Sequence, residues 1–184
     1  CGKSFLLFTI FHNYLLEQGV NADHIIELSL DDRRSKPLRN PDTLLDYIDD
    51  HVAKDGQTHY VILDEVQLVE DFVEVLLSLM HNSQLEVFVS GSNSKFLSKD
   101  VVTEFRGRGD EIHVRPLSFF EYYNAVGGDR NEAWQLYYTY GGLPQVLLMP
   151  TEQKKKEYLN SIYELTYIND VIERNKLRNT EGLR

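Results

Sequence analysis

Short apolar runs along this chain alternate with longer stretches in which apolar residues recur at helical spacing. Residues 24–30, 58–63, 85–90 and 111–115 read as strands. Residues 4–18, 41–52, 67–80 and 95–105 read as helices, and Pro116-Leu117-Ser118 leads into another. The run Tyr60-Val61-Ile62-Leu63 has no polar face, which marks a strand buried on both sides in the middle of a parallel sheet. Strands alternating with helices up to about Val126 predict one α/β unit with a mostly parallel sheet flanked by helices. Gly127-Gly128-Asp129 marks a boundary. Beyond it, helices over 131–140 and 152–175 predict a smaller helical region, so the expected division is 1–126 and 127–184.

Local chemistry adds detail to the outline. Gly19 stops the first helix, and Pro41-Asp42-Thr43 opens the second with Asp42 or Thr43 as its cap. Charged residues and Pro37 make 33–40 a loop. Ser118 with Glu121 three residues on is a capping-box pattern. The aromatic face of Phe119, Phe120, Tyr122 and Tyr123 reads as core, and Gly141-Gly142 with Pro144 reads as a tight turn.

The central strand ends in two adjacent carboxylates, Asp64 and Glu65. Open α/β sheets bind ligands at the carboxyl ends of their strands, and like charges there call for a cation nearby. Gly2-Lys3-Ser4 supplies one, as the back half of a phosphate-binding loop, G-x-x-x-x-G-K-[ST]. Together they predict a Mg-nucleotide site. Lys3 is assigned to the β- and γ-phosphates, Ser4 and Asp64 to Mg²⁺, and Glu65 to a water. A helix starting at Gly2–Lys3 also points N–H groups at an anion. After the next strand, Gly91-Ser92-Asn93-Ser94 is either a polar sensor of the γ-phosphate, through Asn93 or Ser92, or a plain turn. In Arg106-Gly107-Arg108-Gly109, Arg108 suits an arginine finger and equally a solvated turn.

Composition narrows the classes. At 184 residues the chain is long enough for one good-sized domain, or for a domain and part of a second. A formal net charge of −10 argues against wrapping nucleic acid through the overall field. The stretch from Pro150 on is locally basic, and Lys154-Lys155-Lys156 is most simply a wet helix face. With one cysteine there is no internal disulfide, and no Cys/His cluster has zinc spacing, which makes a reducing cytoplasm the expected compartment. No apolar run approaches the ~18 residues of a membrane span. Residue 1 falls inside a motif, so the chain reads as a fragment without the strand and first glycine that normally precede Gly2. Weak or absent ATP binding is expected of it alone.

The succession GKS, YVILDEVQ, VSGSNS, FRGRGDEIHVRPLSFFEYY, YGGLPQVLL and DVIERN resembles a family of prokaryotic AAA-type P-loop ATPases with a C-terminal helical region of uncharacterised function. The resemblance implies a P-loop NTPase-like core with ATP and Mg²⁺ as cofactors. Gly2, Lys3 and Ser4 match the phosphate loop, and Asp64 and Glu65 the acidic motif, with Glu65 as catalytic base. Ser92 and Asn93 fall at the polar sensor, and Arg108 on the GR that follows. The expected activity is ATP hydrolysis driving or gating a movement that acts on an unknown macromolecule, protein or DNA. The alternative is a nucleotide-gated interaction or DNA-binding module with little turnover. No membrane partner is expected, and a homo-oligomer stays open.

Overall fold

The computed structural model describes residues 2–91, 105 and 107–164. The chain divides into two compact units, one of Gly2–Ile112 and one from His113 onward.

The first unit is built on three parallel strands, β1 (Ile25–Ser29), β2 (His59–Asp64) and β3 (Leu85–Val89), in the order β1-β2-β3. Parallel neighbours need a crossover, and helices α2 (Pro41–His51) and α3 (Phe72–Met80) supply the two. Alternation along β2 assigns its two faces. Val61 and Leu63, both at 0% exposure, enter a core with Leu28, Leu30, Leu44, Ile48, Val75, Leu76 and Leu79. Tyr60 lies on the other face, where its ring neighbours Phe88, and Phe88 meets Phe11 with centroids 4.4 Å apart. Phe11 belongs to α1, which runs from Lys3–Phe5 through a π-helical Leu6–Phe11 into His12–Glu17. His12 Nδ1 lies 3.0 Å from Glu27 Oε1, joining α1 to β1. The result is helix, sheet, helix, with β2 buried on both sides as its sequence requires.

Four local expectations give way to the structure. The first helix is present, but its middle, Leu6–Phe11, is wound as π-helix. The cap of α2 is Asn40, whose Oδ1 accepts from the Thr43 N–H at 3.1 Å, and not Asp42 or Thr43. Proline fixes φ near its helical value and pushes the preceding residue into extended backbone, so Pro41 is already the first helical residue. The 33–40 loop contains a 3₁₀ helix, Arg33–Arg39, carrying Pro37, and Arg39 Nε donates to Leu30 O at 2.8 Å. The expected strand 111–115 takes no regular structure, and Ile112 is 80% exposed. An isolated apolar alternation becomes a strand only beside a partner ladder, and β3 is the last strand of the sheet among the described residues. The expected helix 95–105 lies outside the described residues apart from Phe105.

At the amino end of the sheet, His24 precedes β1 and His59 opens β2, and their rings meet at a tilt with centroids 4.4 Å apart. With Asp55 their ligand atoms lie within 4.8 Å of one another, a spacing a cation could accept. His59 is already committed, however. Its Nε2 accepts from Ala53 N–H at 2.9 Å, which leaves Nδ1 to donate to Gln57 O at 3.1 Å. The cluster brackets the loop into β2. Asp55 Oδ2 receives His24 Nε2 at 2.9 Å. The Gln57 N–H on its carboxylate, with the electrostatic pull of His24, holds Asp55 below the usual carboxylate range.

The second unit contains α4 (Phe119–Val126), α5 (Arg130–Tyr140), α6 (Pro144–Leu147) and α7 (Glu152–Ile162). Ser118 and Glu121 form the expected capping box. Phe119 meets Trp134 edge-on at 4.8 Å, and Tyr122 packs on Tyr137 at 5.3 Å, which bears out the reading of α4's aromatic face as core. Phe120 is the exception, 73% exposed. The last helix, expected over 152–175, is helical as far as it is described, and its residues from 165 on lie outside the described residues. Leu117 N–H donates to Gly142 O at 2.7 Å, and a Cβ at Gly142 would stand 2.1 Å from Leu117 O.

That contact predicts that Gly142→Ala destabilises the fold by about 1–3 kcal/mol through backbone displacement, read as a lowered denaturation midpoint. Asp55 supplies a second expectation. Its folded pKa is depressed, so its contribution is complete above its unfolded value of roughly 4 and is lost as pH falls through the folded one. The difference in melting temperature between wild type and Asp55→Ala should therefore shrink on acidification below about pH 4.

Candidate functional site

All three strands run the same way, so their carboxyl ends form one rim. Ser29 of β1 pairs with Asp64 of β2, and Ser90 directly follows β3. Asp64 is 3% exposed, and a carboxylate that deep needs a donor. Ser90 provides it, its hydroxyl donating to Asp64 Oδ1. The backbone fixes this pairing from both sides. Ser90 N–H donates to Leu63 O at 2.9 Å, and Val66 N–H donates to Ser90 O at 3.0 Å.

Between those two bonds the chain turns sharply. Glu65 sits in the left-handed region at φ 57°, ψ 43°, uncommon for a residue with a Cβ. A single 3₁₀ turn, Val66–Leu68, follows. The helix expected over 67–80 therefore begins only at Phe72, after a second left-handed residue, Asp71. The tight turn brings the Gln67 side chain back over Glu65, and Gln67 Nε2 donates to Glu65 Oε2.

Lys3 approaches the same rim from the start of α1. Its Nζ donates to Gly91 O at 2.6 Å, and Gly91 is the residue after Ser90. The ammonium and the buried Asp64 are thus tied to successive residues of one segment. Gly2 takes the left-handed conformation at φ 95°, with open space where a Cβ would be. Ser4 is exposed on the first turn. Arg108 is exposed in a turn closed by its own N–H on Phe105 O at 2.9 Å. Among the described residues no hydrogen bond or ion pair brings its side chain to Lys3 or the acidic pair. The expected sensor residues Ser92 and Asn93 lie outside the described residues.

A family model described as an AAA domain matches residues 1–123. The chain belongs to the AAA-domain family. It is thus a member of the AAA-type P-loop ATPases, and its sheet and flanking helices are the α/β architecture of that class. Nucleotide binding is the activity that membership points to. Two relatives are themselves uncharacterised. One, from Haemophilus influenzae, is 28% identical over 188 residues, covering 100% of this chain and 46% of the relative. Another, from Methanocaldococcus jannaschii, is 24% identical over 198 residues, covering 100% of this chain and 42% of the relative. The chain spans less than half the length of these curated relatives. No solved structure matches. No helix among the described residues is long and apolar enough to cross a membrane.

Sequence reasoning about this AAA domain missed Ser90 and Gln67. Ser90 could have been found as a hydroxyl ending the strand beside the acidic one. Gln67 could not, because it was read as the first residue of a helix. Replacing Ser90 by Ala strips a buried carboxylate of its donor, so Ser90→Ala should cost about 1–3 kcal/mol in urea unfolding. A loss no larger than that of an exposed serine would show that Asp64 does not depend on it.

Proposed function

We propose that this protein hydrolyses ATP with Mg²⁺ at the carboxyl rim of the sheet. The Lys3–Gly91 bond carries the reading, because it sets a cation one residue from the hydroxyl that holds Asp64. The donor set suits the ligand: an ammonium for phosphate oxygens, hard carboxylate and hydroxyl oxygens for Mg²⁺, and a left-handed glycine with no side chain in the approach. Bound Mg²⁺ supplies charge neutralisation at the β- and γ-phosphates. Ser4 and Asp64 would hold it.

In the resting chain Lys3 spends its charge on a neutral carbonyl. A phosphate offers a stronger, charge-assisted bond, so Lys3 exchanges Gly91 O for phosphate oxygen. Glu65 takes the water's proton or orients the water for in-line attack, and Ser90 keeps Asp64 aligned meanwhile. In this reading Ser92 or Asn93 senses the γ-phosphate and Arg108 steadies developing charge. In this reading the α/β core transmits the change to the helical region and on to a macromolecule. The nucleotide-gated module with little turnover is the competing reading, and Glu65 separates the two.

The test is phosphate release by the full-length protein. Lys3→Ala should abolish nucleotide binding. Glu65→Gln should retain it while lowering kcat about 10²–10⁴-fold. Equal rates for wild type and both variants would overturn ATP hydrolysis here. Unchanged partner binding by Glu65→Gln with no wild-type turnover would favour the gated module.

A further inference from the structure

We propose that Gln67 is a positioning residue for the reaction, holding Glu65 so that one carboxylate oxygen is fixed and the other is offered to the water. The proposal rests on the reading of Glu65 as the group that acts on water.

Residues two apart on a helix point away from each other. Had the helix begun at Gln67, as periodicity suggests, its side chain would have had no access to Glu65. The observed backbone reverses this. Glu65 is left-handed at φ 57°, and the following turn is closed by Leu68 N–H on Glu65 O at 3.0 Å. The side chains at 65 and 67 are thereby brought to one side, and the Gln67 amide donates to Glu65 Oε2. The other constraints converge on the same residue. Glu65 N–H lies 3.4 Å from Ser90 Oγ, and Val66, at 0% exposure, anchors the turn in the core. Gln67 is itself buried at 9% exposure, so its rotamer is set by packing.

The chemistry favours an amide at this position. A cation there would hold the carboxylate ionised but compete with substrate for its charge. A second carboxylate would repel it and favour the protonated form. Glutamine does neither. It is a neutral donor that fixes orientation and leaves the carboxylate its charge. The charged groups nearby are Asp64, adjacent in sequence and bonded to Ser90, and Lys3, bonded to Gly91. Neither has a hydrogen bond or ion pair to Glu65 among the described residues, and Gln67 donates to its carboxylate.

The experiment compares Gln67→Leu and Gln67→Glu with wild type and Glu65→Gln in the full-length protein, measuring kcat and KM for ATP. Thermal melts show that each variant is folded. Gln67→Leu removes the donor and should lower kcat about tenfold, with KM for ATP changed less than about twofold. Gln67→Glu keeps the size but sets a carboxyl where the neutral donor was, and should lower kcat at least as far, with KM again little changed. A residue that merely packed the turn would lower the melting temperature without separating kcat from KM. Wild-type turnover that depends on Glu65, with kcat and KM unchanged in both Gln67 variants, would overturn the positioning role alone. No Glu65-dependent turnover in wild type would overturn the catalytic reading and this proposal together. Should Gln67→Leu fail to fold, the split between kcat and KM in Gln67→Glu decides.

Discussion

Asp64 is a carboxylate with almost no contact with solvent, and its hydrogen-bond donor comes from the neighbouring strand. A buried charge is tolerable only where its environment supplies polar partners, so the strand ends around Asp64 cannot be arranged freely. Ser90 must follow β3 level with Asp64, which requires the parallel register of β2 and β3 that pairs Leu63 with Val89. That register follows from the faces of β2, with Val61 and Leu63 against α2 and α3 and Tyr60 on the side of α1. A slip of one residue would exchange the faces and separate the acid from its donor. Hydrophobic packing and the polar rim therefore depend on one alignment.

The acidic pair is asymmetric for the same reason. Asp64 is the last residue of a strand and points where the pleat directs it, whereas Glu65 has left the ladder and turned left-handed. One carboxylate is rigid and buried, and the other is held by a side chain two residues away. Two adjacent acids thus meet different surroundings, which lets them take different tasks. Lys3 completes the rim through a backbone carbonyl, an exchangeable partner for a charge whose stronger ligand is an anion.

Much of the fold was legible in residue pattern. The apolar runs at 24–30, 58–63 and 85–90 became strands, because burial on one or both faces leaves an unmistakable signature. Helix positions survived also where the structure describes them, as did the Ser118–Glu121 capping box, whose chemistry is local. The apolar alternation at 111–115 misled, since a strand exists only with its neighbour. The cap at Asn40 and the late start at Phe72 were displaced by backbone effects, proline stiffness in one case and left-handed residues in the other. Of the proposed site, GKS and the acidic pair stand out in the sequence because a nucleotide with its metal would demand those residue types at fixed spacing. Ser90 and Gln67 carry no such demand, and polar residues of their kind occur everywhere.

The sequence by itself determined the three buried strands, the helices that connect them, and which residues carry the charges suited to a nucleotide. Those properties depend on side-chain type and short-range periodicity, and they need no knowledge of neighbours distant in the chain. Only the tertiary structure decided that Lys3 meets the segment holding Asp64, that Ser90 bonds that acid across 26 residues, and that Gln67 bends back to Glu65. Those contacts arise from strand register and from one left-handed residue, and neither leaves a mark in composition or period.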